Sequence, residues 1–100
     1  MSAPSATSAA PAPARILVVD DDRGLANLLE RALKREGFTV NIALSGEEAL
    51  VWLAKNSADL LLLDLKLHDI SGADLMQRLT EAGRAVAFII ITGQVDERAA

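Results

Sequence analysis

The sequence contains no cysteine, and aromatic residues make up only 3% of it. The absence of cysteine excludes disulfides, thiolate nucleophiles and cysteine-ligated metals. No apolar run approaches the roughly 18 residues that a membrane-spanning helix needs. The first residues also lack the basic and apolar regions of a secretory signal. These absences predict a soluble, cytoplasmic protein.

Charge and composition limit the class of protein further. The net charge of -4 argues weakly against direct binding to nucleic acid or to an anionic membrane. Hydrophobic residues form 51% of the chain, which is enough for an aliphatic core, and 100 residues allow one domain at most. All three prolines lie in the Ala/Ser/Pro-rich residues 1–14. We therefore predict a disordered tail over residues 1–14 and one domain over residues 15–100.

From residue 15 onwards, apolar strands alternate with segments of helical spacing. This pattern predicts an α/β fold with a doubly wound parallel sheet. A strand order of 2-1-3-4 would place the three strands that end on polar residues next to one another. Gly37 and Gly83 are expected to end helices, and Ser45 to begin one with Glu48 reaching back. A further helix is expected from residue 95. The predicted strands are Arg15–Val19, Phe38–Ala43, Leu60–Leu63 and Ala85–Ile91.

Polar side chains follow three of these strands. Asp20 and Asp21 follow the first strand, Asp64 follows the third and Thr92 follows the fourth. The carboxyl ends of parallel strands meet at one edge of the sheet, so the carboxylates are expected to cluster there. Such a cluster is unfavourable unless a hard divalent cation neutralises it. The structural alternative, a pair of helix-capping carboxylates at Asp20 and Asp21, does not explain Asp64.

Three stretches resemble the receiver domain of bacterial response regulators. They are VVDDD (Val18–Asp22), LLLLDLKLHDISG (Leu60–Gly72) and FIIITG (Phe88–Gly93), and the resemblance covers residues 15–100. It implies a flavodoxin-like, three-layer fold within a response regulator or hybrid kinase of a two-component phosphorelay. The implied partner is a histidine kinase or a histidine phosphotransfer protein, and the implied cofactor is Mg²⁺.

The resemblance also implies a role for each site residue. Asp64 would accept the phosphoryl group, and the Thr92 hydroxyl would bond to that group after transfer and draw its loop inward. Asp21 would bind Mg²⁺ directly and Asp20 mostly through water, with the main-chain carbonyl of Lys66 completing the protein ligands. The domain would act as a signalling phosphoacceptor that promotes its own phosphorylation and dephosphorylation, not as an enzyme for other substrates.

The chain departs from the family pattern after Asp64. His68 stands where the family has proline, and we expect a solvated loop histidine more readily than a ligand. Asp69 is assigned no role, and Asp22 is interpreted as a helix N-cap. The side chain of Lys66 could either crowd the attacking water or point into solvent.

The family's fifth strand, its lysine and its fifth helix are missing, so we expect a truncated sequence. This would leave the fourth strand as an open sheet edge, which favours a homodimer or a domain-swapped oligomer.

Other functions remain in competition with phosphoacceptance. A hydrolase of the haloacid dehalogenase type would need a second aspartate where Lys66 stands. A nucleotide- or flavin-binding domain would need a glycine-rich loop where Asp20, Asp21 and Asp22 stand. The most serious alternative is a receiver-like interaction or dimerisation module that is not phosphorylated.

Overall fold

The computed structural model describes residues 12–91, in which strands and helices alternate along the chain. The elements in chain order are β1 (Arg15–Val19), α1 (Arg23–Arg35), β2 (Thr39–Ala43), α2 (Gly46–Lys55), β3 (Leu60–Asp64), α3 (Gly72–Glu81) and β4 (Phe88–Ile91). The predicted alternation is therefore confirmed over this range. Thr92 and the helix expected from residue 95 lie outside the described residues.

The four strands form one parallel sheet in the order β2-β1-β3-β4, as predicted. Val19 at the end of β1 lies opposite both Ala43 and Leu63. The fourth strand begins at Phe88, three residues later than predicted, and Phe88 lies opposite Leu61. Because β3 begins at Leu60, residues 85 and 86 extend beyond its start and find no partner on that strand.

The helices cover both faces of the sheet and produce three layers. Ile16 and Val18 of β1 lie in a cluster with Ala26 of α1, while Leu17 and Val19 lie in a second cluster with residues of α2 and α3. Successive strand residues point to opposite faces, so both sets are buried. This explains why the four residues of β1 after Arg15 form an unbroken apolar run and do not alternate with polar residues.

Local capping fixes where each helix begins and ends. Asp22, Ser45 and Ser71 are the N-caps, and each side chain accepts a hydrogen bond from the backbone amide three residues later. Gly37 and Gly83 follow the ends of α1 and α3 with φ of 98° and 73°. Such left-handed conformations favour glycine, because a Cβ is disfavoured there.

The β4 strand lies at one edge of the described sheet and pairs with β3. Its apolar side chains are exposed: Phe88 by 46%, Ile89 by 52% and Ile90 by 39%. The homodimer or swapped oligomer expected from this edge remains a prediction. Between residues 12 and 91, every helix is too short or too polar to cross a lipid bilayer.

Candidate metal centre

The ends of β1 and β3 bring three carboxylates into one cluster. Asp20, Asp21 and Asp64 each place an oxygen within 4.8 Å of an oxygen on the other two. The strands are neighbours in register, with Val19 opposite Leu63, so the residues that end or follow them share one sheet edge. Parallel pairing thus brings Asp20 and Asp64 to one edge, and Asp21 joins them from the bend after β1.

Asp20 is the buried member of the cluster, with 1% of its surface exposed. Its amide donates to the carbonyl of Ala43, which continues the β1–β2 pairing by one residue. Its Oδ1 accepts from the amide of Asp22 at 2.9 Å. Its Oδ2 is buried and has no hydrogen-bond partner among the described residues. A buried oxygen without a hydrogen bond is energetically unfavourable, and few polar atoms in native proteins are buried without one.

Burial raises the pKa of Asp20 above its usual value of 3.8. The hydrogen bond from the Asp22 amide opposes this shift, while the negative charges of Asp64, Asp22 and Asp21 add to it. Both burial and like charge disfavour the ionised form. Asp64 is half-buried and Asp21 is exposed, so the electrostatic penalty falls mainly on Asp20.

The donor set fits a hard divalent cation. Mg²⁺ and Ca²⁺ take oxygen ligands, and Mg²⁺ keeps several waters while binding one or two carboxylates. A cation between Asp20, Asp21 and Asp64 would neutralise their repulsion and give the Oδ2 atom of Asp20 a partner. The structure therefore supports a metal centre from its own geometry.

The loop between β3 and α3, residues 65–71, closes tightly beside this cluster. The amide of Lys66 donates to Oδ1 of Asp64 at 3.1 Å, and the amide of Gly72 donates to the carbonyl of Leu65 at 3.0 Å. Lys66 and Ser71 also form an antiparallel bridge. A methyl group on Gly72 would lie 3.0 Å from the carbonyl oxygen of Asp64, so only glycine fits this approach without a shift.

His68 lies beside the cluster instead of pointing away from it. Its Nδ1 is 3.5 Å from Oδ2 of Asp21, while 64% of its side chain remains exposed. The predicted solvent exposure is therefore present, together with a contact that the sequence did not indicate. Asp22 caps α1 through Oδ1, which accepts from Leu25 at 3.1 Å.

Asp69 has a structural role, contrary to the expectation that it needs none. Its Oδ1 accepts from the amides of Gly46 at 3.0 Å and Ile70 at 2.9 Å, and its Oδ2 accepts from Glu47 at 2.8 Å. The hydrogen bonds from Glu47 and then Gly46 lower the pKa of Asp69 below 3.8. The only sequence signal available was an acidic residue able to cap a helix, and its target lies 22 or 23 positions away.

Comparison with known proteins agrees with this fold. A sequence model of the response regulator receiver domain matches residues 16–100. The response regulator MprA of Mycobacterium sp. (strain KMS) is 37% identical over 90 residues, which are 88% of this chain and 39% of that protein. The transcriptional regulatory protein TrcR of Mycobacterium tuberculosis is 35% identical over 82 residues, or 82% of this chain and 32% of that protein. The chain thus spans about two fifths or less of these relatives.

Solved structures show the same architecture. A CheY-like receiver domain protein from Methanospirillum hungatei has a TM-score of 0.76 and 30% identity, covering 86% of this chain and 69% of that one. The response regulator TrrA of Thermotoga maritima, solved in complex with Mg²⁺-BeF, has a TM-score of 0.75 and 32% identity, covering 86% and 75%. The parallel sheet, the acidic strand ends and these matches agree: the chain belongs to the response regulator receiver domain family.

Proposed function

We propose that this receiver domain accepts a phosphoryl group on Asp64 from a phosphohistidine, with Mg²⁺ held by Asp20, Asp21, Asp64 and the main-chain carbonyl of Lys66. The observation that carries the proposal is the three-carboxylate cluster around the buried, unpartnered Oδ2 of Asp20. Without a cation, this cluster of carboxylates is electrostatically unfavourable. Unfavourable charge clusters of this kind are typical of functional sites, so we expect the cation to have a function here. The related TrrA, solved with Mg²⁺-BeF, supports the choice of metal.

The chemistry assigns each group a separate task. An Asp64 oxygen forms a bond to phosphorus as the bond between phosphorus and the donor imidazole nitrogen breaks. The Lys66 amide bonds to Oδ1 of Asp64 and so fixes the orientation of the carboxylate. Mg²⁺, when bound, neutralises charge on the phosphoryl group and on the carboxylates, which would otherwise repel it.

The resulting acyl phosphate carries the signal. We assign the Thr92 hydroxyl to a hydrogen bond with a phosphoryl oxygen, because a contact made in only one state is what shifts a conformational equilibrium. The domain over residues 15–100 would work in the cytoplasm with a histidine kinase or histidine phosphotransfer protein. It would also promote its own dephosphorylation.

Mass spectrometry of the whole chain tests this proposal. The chain is incubated with Mg²⁺ and a small phosphodonor such as acetyl phosphate, and a mass gain of one phosphoryl group is expected. The gain should disappear in Asp64→Asn and without Mg²⁺. Asp59→Asn is the matched control, because Asp59 precedes the same strand at its opposite end and bonds to the amide of Arg15. A folded wild-type chain that gains no mass would favour the alternative, an unphosphorylated interaction module.

A further inference from the structure

Two acceptors from different parts of the chain bind the N-terminus of α2. Ser45 is the local N-cap, and its Oγ accepts from the amide of Glu48 at 3.0 Å. Asp69 accepts from the two preceding amides, those of Gly46 and Glu47. Ser45 adjoins the helix, whereas Asp69 belongs to the 65–71 loop after Asp64. The Asp69 contacts therefore join that loop to a helix that carries none of the three clustered carboxylates.

Apolar packing strengthens this junction. Gly46 is buried beneath Ile70, and a methyl group on Gly46 would lie 2.4 Å from Cγ1 of Ile70. The amide of Ile70 also donates to Asp69, so one short segment supplies both the carboxylate and the side chain that meet the helix. The polar and apolar contacts would have to break together for the loop to leave α2.

The 65–71 loop is consequently attached to the rest of the domain at two places, its base and Asp69. At its base, Gly72 bonds to Leu65, and Lys66 pairs with Ser71. At its far side, Asp69 holds it on α2. Lys66 belongs to the base, three residues before Asp69, and its amide donates to the Asp64 carboxylate. Movement at Asp69 would therefore be transmitted to the backbone of Lys66 and to the orientation of Asp64.

We propose that Asp69 is a positioning residue for the metal centre. By fixing the 65–71 loop on α2, it sets the backbone of Lys66 and the carboxylate of Asp64 for Mg²⁺ binding. The inference rests on the proposed function, since it uses Lys66 and Asp64 as metal ligands. Residues that orient ligands in this way commonly change metal affinity when they are replaced.

A matched pair of variants separates positioning from capping. Asp69→Ala and Ser45→Ala each remove an acceptor from the N-terminus of α2, but only the first releases the loop. Calorimetric titration of the whole chain with Mg²⁺ should show a dissociation constant about 10- to 100-fold higher in Asp69→Ala. Ser45→Ala should bind like the wild type. Asp69→Asn keeps one acceptor oxygen and should fall between the wild type and Asp69→Ala.

The outcomes distinguish this inference from the proposed function. If Asp69→Ala and Ser45→Ala change Mg²⁺ affinity equally, or neither changes it, Asp69 is only a helix cap and the inference fails. If Asp69→Ala does not fold, Asp69→Asn decides: wild-type affinity in that variant overturns the inference, and weaker binding supports it. A folded wild-type chain that binds no Mg²⁺ would overturn the inference and the proposed function together. Phosphorylation of the wild type with unchanged affinity in Asp69→Ala overturns the inference alone.

Discussion

Replacing Asp20 with asparagine should stabilise the metal-free protein. The substitution removes a buried negative charge but keeps the shape of the side chain, and its carbonyl oxygen can still accept from the amide of Asp22. The new NH₂ group can donate to the carboxylates of Asp21 or Asp64, which lie within the same 4.8 Å cluster. The variant thus replaces repulsion with hydrogen bonds.

The size of the effect follows from the unpartnered oxygen. A buried polar group without a partner destabilises a protein by about 1–3 kcal/mol, and more when it is charged. We expect the unfolding free energy of Asp20→Asn to be about 1–2 kcal/mol higher than that of the wild type. In a domain of this size, each kcal/mol raises Tm by about 4–8 °C. Asp21→Asn is the matched control. Because Asp21 is exposed, its gain should be about 0.5 kcal/mol or less.

Thermal unfolding with a metal chelator and with added Mg²⁺ provides the assay. Mg²⁺ at 100 times its dissociation constant stabilises a binding protein by about 2.7 kcal/mol. The wild type should gain this stability, whereas Asp20→Asn should gain less because it loses a charged oxygen from the cluster. A Tm for Asp20→Asn at or below that of the wild type in chelator, with the native circular dichroism retained, would refute the clustered-carboxylate argument.

Three further outcomes are expected. Gly46→Ala should lower the unfolding free energy by about 1–3 kcal/mol, because its methyl group overlaps Ile70. Gly24→Ala should raise it by about 0.4–1 kcal/mol, because its methyl group would lie 3.4 Å from Oδ1 of Asp22, an ordinary contact distance. Thermal unfolding measures both changes. The lowered pKa of Asp69 stabilises the fold above the unfolded value of 3.8, and this contribution is lost as pH falls through the lower folded value. The acid side of a Tm–pH profile should therefore be flatter in Asp69→Asn. His68→Asn should weaken Ni²⁺ binding and leave Mg²⁺ binding unchanged in calorimetry, because imidazole suits the softer ion.

The fold could be predicted because its signals are local. Three strands are short, mainly apolar runs, the second alternates between exposed and buried residues, and each helix has a capping residue at its start, such as Ser45 or Ser71. The order 2-1-3-4 was favoured because it makes neighbours of the three strands that end on polar residues. The start of β4 was wrong by three residues, because Ala85 and Val86 are apolar and only the extent of β3 excludes them from pairing.

The distribution of burial within the site could not be predicted in the same way. Asp20 and Asp21 are adjacent in the sequence, and nothing in it indicates that the first is buried and the second exposed. The difference arises because the Asp20 amide continues the pairing with Ala43 and keeps the side chain at the end of the sheet. The contact between Asp69 and Glu47 was also missed, since it depends on how α2 and the 65–71 loop pack across 22 residues of sequence.

The structure concentrates the unfavourable electrostatics of the cluster on one oxygen. Asp21 is exposed and can turn its charge towards water, whereas Asp20 is held by its amide bond to Ala43 and by the amide of Asp22 on Oδ1. Its Oδ2 has no hydrogen-bond partner among the described residues, and a cation in the cluster would supply one. Among the three clustered carboxylates, we therefore expect Asp20 to destabilise the metal-free fold most and to gain most from a bound cation. Substitutions at Asp20 should change metal-free stability and Mg²⁺ affinity in opposite directions, and a substitution that raised both would show that the oxygen is not directed at the cation.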